Sequence, residues 1–100
     1  MISKAKVKYI RSLELKKHRN QERVFVVEGI KAVEDLLAIM PAKMLIHTSA
    51  WHATRPMPET EIIEVSDDEM RKVSFLQHPQ GVMAVFPQQS VKADDWLSLP

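Results

Sequence analysis

Side chains able to do chemistry are few in this chain, and their spacing groups them poorly. The histidines are His18, His47, His52 and His78. His47 and His52 stand five apart, with no second pair and no acidic partner at ligand spacing, so no metal site is expected. The chain has no cysteine, which removes disulfides, thiolate ligands and cysteine nucleophiles and fits a reducing compartment. Its two glycines, Gly29 and Gly81, lie too far apart to form a phosphate-cradling loop. Ser12, Ser49, Ser66, Ser74, Ser90 and Ser98 lack the context of a nucleophile elbow. Glu28 is a conceivable base, but acid–base catalysis wants a paired acid or an anion site, and neither accompanies it. No catalytic residue, metal ligand or cofactor-binding residue is assigned to this chain alone.

The charges are more telling. The net charge of +1 hides an asymmetry. Residues 1–23 carry eight basic and two acidic side chains, a net of +6. The rest carry six basic and eleven acidic ones, a net of −5. A basic segment on an acidic body points to a polyanionic partner; a solvated, lysine-rich amphipathic helix is the plain alternative.

One hundred residues, 45% of them apolar, fit one domain with one core. The N-terminus, MISKAKVKYIRSLELKK, has neither the apolar stretch of a signal peptide nor a membrane-length apolar run, so a soluble cytoplasmic protein is the expectation. Ser3 can cap a helix over 3–15, with Val7, Ile10 and Leu13 on one stripe. KKHRNQE (16–22) has no apolar residue and reads as an exposed loop. RVFVVE (23–28) reads as a strand largely buried on both faces, followed by a helix over 30–39 that closes before Pro41. KMLIHT (43–48) and TEIIEV (60–65) are further strands, separated by a proline-containing stretch that begins with a single turn. Ser66–Glu69 forms a capping box for a helix over 67–75, HPQG (78–81) is a turn, and VMAVF (82–86) is a fourth strand. Strands alternating with helices predict an α/β fold, a three-layer α/β/α domain with a mostly parallel four-stranded sheet.

Two stretches carry a resemblance. KYIRSLELKKHRNQERVFVVEGIKAVEDLL (8–37) resembles the N-terminal substrate-binding domain of SpoU-family RNA 2′-O-ribose methyltransferases, of the SPOUT (trefoil-knot) class. The matching residues are Lys8, Arg11, Ser12, Leu13, Lys17, Arg19, Phe25, Val27, Glu28 and Gly29. HPQGVMAVF (78–86) is similar to the family's Pro-Gln-Gly turn into the last strand, through Pro79, Gln80, Gly81, Val82 and Ala84. The likeness spans about residues 3–87.

The resemblance implies a fold shared with ribosomal proteins that bind kink-turn RNA. Residues 1–87 would hold rRNA or tRNA, and 88–100 would lead toward a C-terminal knotted domain not contained in this chain. That domain would bind S-adenosylmethionine, methylate a ribose 2′-hydroxyl and form a homodimer. The RNA-binding residues would be Lys8, Arg11, Ser12, Lys16, Lys17, Arg19, Glu28, Gly29, Lys31, Gln80 and Gly81. Plainer roles stay open at several of them. Arg11 and Ser12 can make a carboxylate pair and a local backbone bond. Gly29 can serve backbone geometry, and Glu28 can favour a helix start or orient Arg11 or Arg19. Tyr9 is expected to pack on a neighbour, Trp51 to plug a loop and Trp96 to contact the further domain. A non-catalytic protein-interaction domain and a stand-alone binder of structured RNA are the alternatives.

Overall fold

The computed structural model describes residues 2–88. Eight elements follow one another: α1 (Lys4–Ser12), α2 (Lys16–Glu22), β1 (Val24–Glu28), α3 (Ile30–Leu37), β2 (Met44–His47), β3 (Glu61–Glu64), α4 (Asp67–Val73) and β4 (Val82–Pro87). The strands lie in the order β1-β4-β2-β3.

Alternation along each strand divides the apolar residues between two cores, because successive side chains point to opposite faces. Val24, Met44, Ile46, Met83 and Val85 face one way and pack under α1 and α4 with Ile10, Leu13, Met70 and Val73. Leu45, Val82, Ala84 and Phe86 face the other way and pack under α3 and the 48–60 loop with Val33 and Trp51. Phe25 stacks on Phe86 on that second face, with ring centroids 5.7 Å apart. The three-layer arrangement is therefore as the pattern predicts.

The sheet is mixed, which corrects the expectation of a mostly parallel one. Only β2 and β3 pair in parallel; β4 is antiparallel to both β1 and β2. The cause is the direction of α4. This helix starts beyond the C-terminal end of β3 and stops where Ser74 and Phe75 meet Glu28, at the C-terminal end of β1. Seven residues of helix span about 10 Å, enough to cross neighbouring strands. The chain stays at one end of the sheet, so β4 must run back. It enters the slot between β1 and β2, where Ala84 lies opposite both Val27 and Leu45. The parallel crossover from β2 to β3 uses the 48–60 loop instead of a helix, with Trp51 and Met57 packed into the second core.

A second correction concerns 16–22, expected as a loop and found as α2. None of its residues is buried, so no apolar stripe announces it. Its ends are held instead: Arg19 Nη1 donates to the Leu13 and Glu14 carbonyls, both at 2.8 Å, and Arg23 closes the helix at φ 57°. All three predicted helices are shorter than expected, ending at Ser12, Leu37 and Val73. Gln88 is tied to this corner, its amide N–H donating to Arg23 O at 2.8 Å and its side chain to Asn20 and Val24. Trp96 lies outside the described residues. No helix among them is long and apolar enough to cross a membrane.

The Ser66 capping box forms as expected, and its glutamate does more than cap. Glu69 Oε1 accepts from Ser66 N and Oε2 from Ile2 N, each at 3.0 Å, so one carboxylate fixes the start of α4 and the entry to α1. These backbone bonds hold the Glu69 pKa below the usual glutamate range. A depressed folded pKa stabilises the fold above the unfolded value, near 4.3, and the contribution is lost as pH falls through the folded one. Urea denaturation should therefore show Glu69→Ala less stable than wild type at pH 7, with the gap narrowing toward pH 3.

Candidate RNA interface

The first chemistry-bearing edge is built where β1 ends. Glu28 is half-buried there and both carboxylate oxygens are engaged: Ser74 Oγ donates to Oε1 at 2.6 Å and Phe75 N to Oε2 at 2.7 Å. Arg11 Nη1 reaches the same turn, donating to Ser74 O at 3.0 Å, and its guanidinium lies 5.4 Å from the Phe75 ring centre. Ser74 Oγ also accepts from Leu76 N at 3.0 Å. The ends of α1, β1 and α4 are thus locked through Ser74 and Phe75. Glu28 orients Arg11 through these shared partners without touching it.

Gly29 follows at φ 104°, a conformation that disfavours any side chain. Its amide donates to Val82 O at 3.1 Å, tying it to the start of β4. A Cβ at this position would lie 2.9 Å from Gln80 Oε1. The exposed Gln80 side chain therefore lies on the Gly29 backbone, and the two sequence blocks meet in space. Gly81, at φ 89°, is packed slightly less closely, a Cβ there lying 3.1 Å from Thr48 Oγ1 and Ala50 Cβ, and its carbonyl accepts from Thr48 N at 2.9 Å.

The remaining candidates surround this edge. Ser12 Oγ donates to Tyr9 O at 2.6 Å, and Arg11 pairs with Glu14 at 3.2 Å, so the plainer roles proposed for Arg11 and Ser12 are both realised. Lys31, in the first turn of α3, pairs with Asp35 at 2.9 Å. That bond raises the Lys31 pKa and keeps the ammonium charged. Lys8 stands one turn before Arg11, while Lys16 and Lys17 open α2 beside the end of α1. All three are exposed, and none forms an ion pair among the described residues.

Sequence reasoning missed Ser74, Phe75 and Thr48. Their only sequence signal is a polar residue just past the last apolar position of a helix and another just past a strand. Tyr9 packs partly buried against the first core, and burial is the main cause of its raised phenol pKa. Trp51 plugs the crossover loop as expected, its Nε1 donating to Glu34 Oε1 at 3.2 Å. Buried His47 leans on Trp51, 5.4 Å between ring centres, and its Nδ1 lies 2.8 Å from Thr48 O. No metal-binding cluster of His, Cys, Asp or Glu occurs among the described residues.

With this geometry in place, the likeness to known proteins is specific. Residues 4–84 match the family described as the MRM3-like substrate binding domain. A solved protein from Porphyromonas gingivalis, assigned to the TrmH family of RNA methyltransferases, is 32% identical at a TM-score of 0.82. The match covers 92% of this chain and 38% of that one. An AdoMet-bound rRNA methyltransferase from Sinorhizobium meliloti is 28% identical at a TM-score of 0.70, over 89% of this chain and 35% of that one. The SpoU methyltransferase AviRb from Streptomyces viridochromogenes, at 18% identity, shares the fold, with a TM-score of 0.69 over 92% of this chain and 38% of that one. No curated protein sequence matches. The chain therefore belongs to the MRM3-like substrate binding domain family, a substrate-binding domain of SpoU-type RNA methyltransferases. It spans little more than a third of the length of the solved proteins it matches.

Substitutions at four positions test the edge. Glu28→Ala leaves Phe75 N without its acceptor and should cost about 1–3 kcal/mol in urea denaturation. Ser74→Ala should be strongly non-additive with it, since the two side chains share one bond. Gly29→Ala should destabilise the fold by more than ~1 kcal/mol through its positive φ, and adding Gln80→Ala should recover only the steric part.

Proposed function

We propose that this domain holds structured rRNA or tRNA for ribose 2′-O-methylation carried out by a further, C-terminal domain of the same protein. The observation that carries this reading is the family match over residues 4–84. The edge supports it physically. Gln80 offers an exposed amide able to bond a base or a 2′-hydroxyl, beside a backbone that approaches closely at Gly29. Lys8, Lys16, Lys17 and Lys31 flank it with ammonium groups suited to phosphates. The kink-turn-type RNA bound by ribosomal proteins of similar design is the structured target we favour.

S-adenosylmethionine belongs, on this reading, to the further domain. The edge itself does not fit it: Glu28 and Arg11 are committed to Ser74 and Phe75, leaving neither to take a ribose diol or the methionine carboxylate. A homodimer through that further domain, a connecting role for residues 88–100 and a cytoplasmic location complete the proposal.

The test is binding of the chain to a structured rRNA fragment and to a mixed tRNA pool over a salt series. Log affinity should fall linearly with log salt, by roughly 0.7–0.9 per phosphate neutralised. Lys8→Glu/Lys16→Glu/Lys17→Glu should weaken binding roughly tenfold or more at low salt and flatten that slope. Arg11 and Arg19 are poor probes, because each is bonded to backbone carbonyls and its loss would disturb the fold. A folded wild-type chain that binds neither RNA would refute the reading.

A further inference from the structure

A second basic feature lies away from the strand-end edge, between α1 and α4. The two helices run side by side in the same direction. Ile2 N meets Glu69 near their starts, and Arg11 meets Ser74 O at their ends. The groove between them is lined by Ile2, Val7, Lys4, Lys8, Glu69 and Lys72, with Ser66 at its end, and measures about 750 Å³. Its floor is apolar and its rim is basic. Lys4 and Lys8 stand one turn apart on α1, and Lys72 faces them from α4.

None of these three lysines makes an ion pair among the described residues, although other cations nearby do. Lys6 pairs with Glu61 at 2.7 Å, and Arg71 pairs with Asp68. Glu69, the groove's carboxylate, is spent on two backbone amides and is outnumbered three to one. Three ammonium groups left together, with local carboxylates directed elsewhere, repel one another unless an anion joins them. Two residues of the groove adjoin the edge along the chain: Lys8 stands one turn before Arg11, and Lys72 two residues before Ser74, which Glu28 holds.

We infer that the α1–α4 groove is a track for the substrate's phosphate backbone, which extends the RNA footprint from the Gln80–Gly29 edge along α1 as far as Lys4 and Lys72. This rests on the RNA reading above and assigns Lys4 and Lys72 a phosphate-positioning role. The spacing suits a polyanion. One helical turn rises about 5.4 Å, close to the span between successive phosphates of a single strand. Lysines on both walls can therefore follow one strand without reading its bases. The apolar floor accepts the stems of the lysines themselves and the sugar faces of the strand.

The experiment compares Lys4→Gln/Lys72→Gln with wild type, using the same rRNA fragment and salt series. A control, Lys43→Gln/Arg55→Gln, removes two charges outside the groove: Lys43 precedes β2, at the end of the sheet away from Glu28, and Arg55 lies in the crossover loop on the α3 face. The groove variant should lower the slope of log affinity against log salt by roughly 1.4–1.8, and the control should leave it nearly unchanged. Acylation of lysines followed by mass spectrometry adds a positional readout: bound RNA should protect Lys4 and Lys72 but not Lys43. Wild-type binding with an unaltered slope in the groove variant, or with Lys4 and Lys72 fully reactive in the complex, overturns the track and leaves the RNA function standing. Equal losses in the groove variant and the control reduce the effect to net charge and also overturn it. Failure of the wild-type chain to bind RNA overturns both. The groove variant should keep the wild-type thermal midpoint, since Lys4 and Lys72 are exposed and form no ion pair among the described residues, and the control, which also loses the Arg55 bond to Leu37 O, is compared at a temperature where all three proteins are folded.

Discussion

The Glu28 carboxylate is the tie on which the rest of the edge depends. A charged group half out of water is costly unless its oxygens are satisfied, and Glu28 meets that condition with the hydroxyl of Ser74 and the amide of Phe75. The consequence reaches three elements. Helix α4 must stop where it does, because its first residue past the end is held. Arg11 then finds the Ser74 carbonyl and an aromatic face at a fixed place, so α1 is aligned with α4. The chain leaving the turn begins β4 at the same end of the sheet as Glu28, and this brings Gln80 over Gly29. A carboxylate that sits oddly at the end of an apolar strand becomes intelligible as the anchor of its antiparallel neighbour.

The same tie accounts for the mixed sheet. Strands β1, β2 and β3 point one way, as alternation with helices requires, and two crossovers on the α3 face connect them. An α4 long enough to return along the sheet would have produced a fourth parallel strand at an edge. The short, anchored α4 turns the chain into the gap instead. The last strand thereby becomes central, with its first five residues buried. A central strand that comes last in sequence delays completion of the sheet until most of the chain is present, since non-local pairings must wait for their partners.

What the residues disclosed in advance follows physical range. Val24–Val27, Leu45–Ile46 and Val82–Phe86 announce strands by composition alone. Ser3 and the Ser66–Glu69 box announce helix starts, because the bonding partners lie three residues away. Helix α2 stayed hidden because it is polar all round and owes its position to Arg19, which reaches back to carbonyls five and six residues earlier. The slot of β4 stayed hidden because it is decided by the reach of α4, which no local pattern encodes. Within the candidate site, Glu28, Gly29 and Gln80 stood out by type and by resemblance. Ser74 and Phe75 did not, being 46 and 47 residues from the carboxylate they hold.

The division of labour between cations bears on how such a domain would meet RNA. Arginine offers a planar fork of donors that suits fixed, multiple bonds, and here Arg11 spends it on the Ser74 carbonyl that ends α4 and Arg19 on the carbonyls of the α1–α2 corner. Lysine offers a hydrated point charge on a long, mobile stem, and Lys4, Lys8, Lys16, Lys17 and Lys72 project from the elements those arginines fix. A rigid frame with mobile charges favours contact with phosphates over recognition of sequence, because ammonium groups tolerate small shifts of the backbone they neutralise. Discrimination would then fall to groups whose positions are set to within a bond length. At this edge those are the Gln80 amide, laid against Gly29, and the backbone around it, so shape and a single exposed amide would select among RNAs that the lysines hold indifferently.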